Sequence, residues 1–305
     1  MGILHKKSIF TLVLLCTLSV FGQDSLKLSV QNISNLPAAP GQDRSIGYAG
    51  MIGGVHEGVI IAAGGANFPD ALPWEGGQKK WSHSIFILND NEWQLAKTSL
   101  PHPLAYGASI SLPNGILCIG GNNEHETSNA VFLLSYNKKT SQISIVDYPS
   151  LPEPLSNTAA VTYRDYIYVI GGINNGQSTN SFYRLDLKAK TSWERLPDFP
   201  GAARALHSAV VQEASDAKKI FVIGGRNEVK GKISKAHSSY LSYNLKSNSW
   251  NEEGEILIDQ KPRVLMGASA EALGSMHIMI YGGSDELLFN QLEKYGLRIP
   301  EETND

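Results

Sequence analysis

At 305 residues the chain is long enough for one large domain or two ordinary ones, and 42% apolar against 18% charged residues leaves material for a sizeable core. The formal net charge is −3 and no basic run interleaved with aromatics occurs, which argues against nucleic acid as a partner.

The first elements in chain order are those of an export signal. Lys6 and Lys7 precede an apolar stretch, Ile9 to Phe21, which ends at Gly22 before Gln23 and Asp24. A basic start, a short apolar run and a small residue ahead of a polar segment predict a cleaved secretory signal over residues 1–22, with Val20 and Gly22 at its −3 and −1 positions. Such a run is too short to span a bilayer, which takes about 20 residues. Lipidation at Cys16 is the rival, but Val13-Leu14-Leu15 lacks the small residue that normally precedes a lipidated cysteine. The expectation is a periplasmic or secreted protein with no membrane contact after cleavage. Cys118 is then the one cysteine left, so no internal disulfide can form. It sits in the apolar run GILCIGG and reads as a core residue.

Residues 23–305 are expected to form one domain. LKLSVQNISNLP, ending in Leu36-Pro37, reads as a strand. GVIIAAGG then opens a series of five apolar runs that close on a double glycine; the others are GILCIGG, DYIYVIGG, KKIFVIGG and MHIMIYGG. Their first glycines are Gly64, Gly120, Gly171, Gly224 and Gly282, spaced by 56, 51, 53 and 58 residues. Each run is β-branched and apolar, as a buried strand is. Upstream of four of them lies a strand of small residues (GASISL, NTAAVTY, HSAVVQE, GASAEAL), suited to crowding near an axis. Downstream come a third strand and a fourth that carries Trp93, Trp193 or Trp250, followed by a Leu-Pro turn. Four strands per unit of about fifty residues is the pattern of a β-propeller. The fifth unit supplies two strands and then a segment, 286–295, with helical character.

The double glycine, downstream aromatic and Trp resemble the Kelch repeat. ANFPDALPWEGGQKKW, LAYGASISLPNGILCIGGNNE and GGSDELLFNQLEK are further similar to the cyclically permuted branch of the N-acetylneuraminate mutarotase (sialic acid epimerase) family. The fold implied is an all-β Kelch-type propeller with four-stranded blades. Six blades are expected in that family and about five are represented here, so the ring is expected to lie incomplete at the C-terminal side. The resemblance also implies an activity, interconversion of the α and β anomers of N-acetylneuraminate or a related acidic sugar by acid–base ring opening and closure, without metal or cofactor. The family's proposed catalytic Glu and Arg occur in a GE-x-x-x-G-x-R-T stretch that this sequence does not contain, so no catalytic residue is assigned. The alternative is a non-catalytic Kelch propeller that binds a glycan or a protein partner. A homodimer is left open.

The candidate binding residues lie mainly where the chain departs from its own repeat. The first unit joins its second and third strands by a long loop rich in aromatic and charged groups, and loops on a rigid scaffold are where function concentrates. Asn67, Trp74, Glu75, Lys80 and His83, with Trp81 beside them, are candidates for contacting a sugar, by stacking and by hydrogen bonds. Tyr106 and 122–124 are placed at the edge of the same funnel. Arg204 and Arg263 precede small-residue strands, from which they reach either a substrate carboxylate in the channel or a neighbouring blade; Arg44 has weaker spacing. His207 and His277 read as satisfied core histidines. No His, Cys, Asp or Glu set has metal-ligand spacing. Gly47, Gly50 and Gly53 precede a strand rather than a helix, which removes a phosphate loop.

Overall fold

The structure, a computed structural model, describes residues 32–39, 42–214, 217–287 and 289–294. The export signal predicted over 1–22 and most of the strand predicted over 26–37 lie outside these residues; 32–39 form no strand.

From Ser34 onward the described residues form a compact unit of antiparallel sheets. Blade 1 comprises Ile52–His56, Val59–Ala63, Ile85–Asn89 and Glu92–Leu95. Blade 2 comprises Ala108–Leu112, Gly115–Ile119, Val131–Asn137 and Gln142–Tyr148. Blade 3 comprises Ala159–Tyr163, Tyr166–Asn174, Gln177–Asp186 and Trp193–Leu196. Blade 4 comprises Ser208–Glu213, Lys218–Ile223, Ser239–Asn244 and Ser249–Glu255. A fifth unit has two strands, Met266–Leu273 and His277–Ser284, and residues 286–287 and 289–294 after it are helical. Four complete blades and one strand pair are thus described, where the sequence pattern predicted about five blades.

The apolar runs of blades 2 and 3 are nearly continuous because those blades are buried on both faces, whereas Val59–Ala63 of blade 1 exposes Ile60. In Gly115–Ile119 every residue is buried. Side chains alternate between faces along a strand, so Ile116 and Cys118 join Ile52, Ile61 and Ile85 of blade 1, while Leu117 and Ile119 join Val169, Leu185 and Trp193 of blade 3. The same alternation splits blade 3, whose Tyr168 and Ile170 pack with Val222, Leu241 and Tyr243 of blade 4. The hydrophobic cores therefore lie between blades. Burial pushes the Cys118 thiol far above its ordinary range, as expected of a core cysteine.

Two backbone circuits fix the blades around the axis. The first explains the double glycines. Gly65, Gly121, Gly172 and Gly225 donate their N–H groups to the carbonyls of Leu104, Leu155, Arg204 and Leu265 on the next unit, at 2.7–2.9 Å. The preceding glycine must leave room for that carbonyl: a Cβ on Gly120 would stand 2.2 Å from the Leu155 oxygen, and its φ is +60°. The second circuit joins the residues that lead into the innermost strands. Tyr106 donates to Gly50, Asn157 to Tyr106, Leu206 to Asn157 and Gly267 to Leu206, at 2.7–3.1 Å. Each of these five residues has a positive φ, including the non-glycines Tyr106, Asn157 and Leu206. The strain of holding a side chain there, of order 1 kcal/mol or more, is offset by a hydrogen bond repeated at every blade boundary. Trp193 and Trp250 seal the outside, their indole N–H groups donating to Pro149 and Pro197 at 2.7 and 2.9 Å.

The innermost strands enclose a central cavity of about 840 Å³ lined by Gly53, Ser109, Ala160, Ala209 and Ala270 among others. Two of the serines that line it are engaged between blades: Ser109 bonds the Gly53 backbone, and Ser208 donates to the Ala268 carbonyl.

Candidate functional site

In every blade the innermost strand starts, and the second strand ends, at the same face of the ring. The connections at that face carry most of the candidate residues. The longest is 66–84. It begins and ends as a short ribbon in which Ala66 pairs with Trp81 and Asn67 with Lys80. The ribbon continues toward 42–50, because Ala49 and Ala66 exchange two backbone hydrogen bonds at 2.8 and 2.9 Å and Asn67 Nδ2 donates to the Gly47 carbonyl at 2.9 Å. At the tip, Pro73–Glu75 form one 3-10 turn, closed by Gly76 at φ +87°.

The eight predicted residues fall into three groups. Asn67 and Tyr106 lie toward the base of the loop, Asn67 bonded to Gly47 and Tyr106 over Gly50. Trp81 Nε1 donates to Asn122 Oδ1 at 3.1 Å, and the Tyr106 ring lies close over Gly50, where a Cβ would stand 2.4 Å from it. Trp74, Glu75, Lys80 and His83 stay at the exposed tip and edges of the loop. Glu75 uses its carboxylate to accept the Leu72 N–H at 3.2 Å, so it shapes the turn. The third group is the arginines. Arg204 is 3% exposed and donates to the Gly224 and Ser239 carbonyls, both at 3.0 Å, and to Ser239 Oγ at 2.9 Å. It bridges to the neighbouring blade rather than lining the central cavity, its Nη1 and Nη2 taken by Gly224 and Ser239 and its Nε left without a partner. Burial lowers its pKa below the ordinary value, with the Glu252 charge opposing. Arg263 is half exposed, 3.8 Å from Asp285.

The residue that completes the cluster is one the sequence pattern passed over. Lys79 is partly buried, with its ammonium 4.3 Å from the centre of the Tyr106 ring and 5.0 Å from that of Trp81. Lys80 is exposed. Neighbouring residues of a ribbon point to opposite sides, so the choice between the two lysines depends on a register that the loop's composition does not reveal. The Lys79-Trp81 alternation, two residues apart on one side, was the available signal. An ammonium against two aromatic faces gains roughly 0.5–2 kcal/mol from the ring quadrupoles. It keeps its hydrogen-bond donors for an incoming anion, and the rings offer apolar area to the C–H face of a sugar. Tyr106 is held in place through its positive φ and the belt hydrogen bond to Gly50.

The two histidines read as satisfied core residues are different in fact. His277 is exposed at the start of the last strand. His207 is buried as expected, but neither ring nitrogen makes a hydrogen bond of full geometry. Burial first, and the charge of Arg204 second, hold its pKa at about 3. Among the described residues no group of three or more His, Cys, Asp or Glu could hold a metal ion.

Comparison with known proteins agrees with this architecture. The KLHDC2/KLHL20/DRC7 Kelch-repeats domain matches residues 55–283. A protein named N-acetylneuraminate epimerase from Salmonella enteritidis PT4 (strain P125109) is 36% identical over 109 residues, 33% of this chain and 28% of the relative. One of the same name from Vibrio vulnificus (strain YJ016) is 39% identical over 127 residues, 38% of this chain and 32% of the relative. The matches thus span less than a third of those relatives' length. A solved structure titled "Structure of YjhT" superposes with a TM-score of 0.63 at 16% identity, covering 82% of this chain and 80% of that one, a likeness of fold. With the repeats, the glycine latches and the four-stranded blades in agreement, the chain belongs to the Kelch-repeat family of β-propellers.

Proposed function

We propose that the protein recognises a free acidic sugar at its loop-bearing face and acts as a mutarotase of N-acetylneuraminate or a related sugar acid. The observation that carries the reading is the Lys79 ammonium held beside Trp81 and Tyr106. A sugar acid needs a cation for its carboxylate and an apolar face for its ring, and this cluster offers both. The similarity to proteins named N-acetylneuraminate epimerase supports the choice of sugar.

Mutarotation requires that one group take the proton of the anomeric hydroxyl while another gives a proton to the ring oxygen. Positioned groups of this kind contribute roughly 10²–10⁴-fold. The reaction also runs spontaneously in water, so the enzyme has to exceed a background rate, each tenfold gain needing about 1.4 kcal/mol of barrier lowering. The test is NMR observation of anomer exchange, starting from one anomer of N-acetylneuraminate. Acceleration over buffer that is lost in Tyr106→Ala supports the reading. Saturable binding with exchange at the buffer rate refutes catalysis and supports a non-catalytic glycan-binding propeller.

A further inference from the structure

Blade 4 has its own ribbon at the loop-bearing face, Arg226–Asn227 paired with Lys235–Ala236. Arg226 follows the double glycine, the position held by Ala66 in blade 1 and Asn122 in blade 2. Its guanidinium is buried and is met by two carboxylates. Nη2 donates to Glu228 of the same loop. Nη1 donates to Ser234 Oγ at 3.0 Å and to Glu293 Oε1 at 2.6 Å. The other oxygen of Glu293 accepts the Ser234 N–H at 2.9 Å and the Ser234 hydroxyl at 2.8 Å. Phe289 lies against the guanidinium at 4.4 Å.

A guanidinium, a backbone N–H and a hydroxyl therefore converge on one carboxylate. That is the donor set of a carboxylate receptor. The carboxylate it holds arrives from a separate element, the helical residues 289–294 beyond the strand His277–Ser284. The balance of charge is uneven. One arginine faces two carboxylates, and Glu228 is pushed above its ordinary pKa by burial and by Glu293, against the pull of Arg226. Beside the cluster is a depression of about 430 Å³, lined by Asn175, Glu228, Lys230, Lys232 and Glu293. Its size falls within the roughly 300–1,000 Å³ of small-molecule sites; Lys230 and Lys232 balance Glu228 and Glu293 there, so departure of Glu293 leaves the lining with an excess of positive charge.

We propose that Arg226 and Ser234 form a second carboxylate-binding site, for a small organic acid such as a sugar acid, and that Glu293 fills its anion seat from within the chain until a ligand displaces it. Exchange of one carboxylate for another conserves the charge and the three donors. The displaced helix turns its Glu293 to water, and Phe289 leaves the guanidinium face. The site is separate from the Lys79 cluster and does not depend on any catalytic role for the protein.

The experiment measures N-acetylneuraminate binding by calorimetry in a Lys79→Ala background, which removes the first site's cation. Adding Glu293→Ala removes the internal competitor and is expected to raise affinity about tenfold or more, since a ligand no longer has to displace an occupied state. The methyl ester of N-acetylneuraminate, which lacks the carboxylate charge, is expected to show no gain. Arg226→Met added to Glu293→Ala is expected to abolish it. Glu293→Gln, which keeps the helix side chain in shape, guards against a variant that simply unfolds, and it too is expected to bind the acid more tightly. Unchanged or weaker affinity in both Glu293 variants, or an equal gain for the ester, overturns the proposal and makes Glu293 a structural strap. In the protein with Lys79 intact, anomer exchange that persists while these variants show no gain keeps the mutarotase reading and refutes this site. Tighter acid binding without anomer exchange does the reverse.

Discussion

The side chains that matter most here are the ones whose surroundings conflict with their chemistry. His207 is an imidazole whose ring nitrogens make no hydrogen bond of full geometry; only the Ile170 backbone favours its charged form, and its neighbours include a buried cation. Its folded pKa of about 3 lies below the ordinary 6.5. The folded state thus keeps it neutral, while an unfolded chain takes up a proton below about 6.5. The stability this supplies is complete above that pH and is lost as pH falls toward 3, at about 1.4 kcal/mol for each unit within the window. Urea midpoints measured between pH 7 and pH 4 should therefore fall more steeply for the native protein than for His207→Gln; equal slopes would show that the ring finds a hydrogen-bonding partner when protonated. The sequence marked His207 as a core residue but could not show that its ring nitrogens lack full hydrogen bonds, because that depends on which atoms of blades 3 and 4 meet it. Arg204 illustrates the same limit. Its position before a small-residue strand was legible, and whether it faced the channel or the next blade was decided by the Gly224 and Ser239 carbonyls, which no spacing reveals.

At the scale of the element, the repeat was readable because one physical need recurs. In each of the four complete blades the second strand ends where the backbone of the next unit approaches, and only glycine admits the carbonyl there. Gly120→Ala places a Cβ 2.2 Å from the Leu155 oxygen at a φ of +60°. The backbones must separate, and the hydrogen bond from Gly121 to Leu155 is lost with them. The expected cost is about 3 kcal/mol or more, from a combination of strain and a buried group left unpaired. A melting curve of Gly120→Ala should shift down by several degrees, whereas Gly58→Ala, at a hairpin with nothing within 4 Å, should lose only the roughly 1 kcal/mol of a positive-φ position. Equal shifts would contradict the latch. The belt of positive-φ residues was not legible, since Tyr106, Asn157 and Leu206 share no residue type; what they share is a place in the hydrogen-bond circuit. Likewise the long loop stood out by composition, but its ribbon register, which puts Lys79 rather than Lys80 against the rings, did not.

For the molecule as a whole, the cores between blades make the loop-bearing face a product of every unit at once. Tyr106 is positioned by Gly50 of blade 1, Trp81 by Asn122 of blade 2, and Ser178 of blade 3 accepts the N–H of Glu228 in blade 4. The proposed recognition at this face therefore draws on several blades at once, with the Lys79 cluster reading the acidic sugar. The most direct test is a titration of the protein with N-acetylneuraminate, followed by ligand-detected NMR, on the native chain, Lys79→Ala and Lys80→Ala. Loss of a charge-assisted contact of about 1.5–3 kcal/mol predicts saturable binding that weakens about tenfold or more in Lys79→Ala, stays within about twofold of native in Lys80→Ala, and is weak for the methyl ester throughout. Absence of saturable binding, or equal affinity of the native protein and Lys79→Ala, would contradict it.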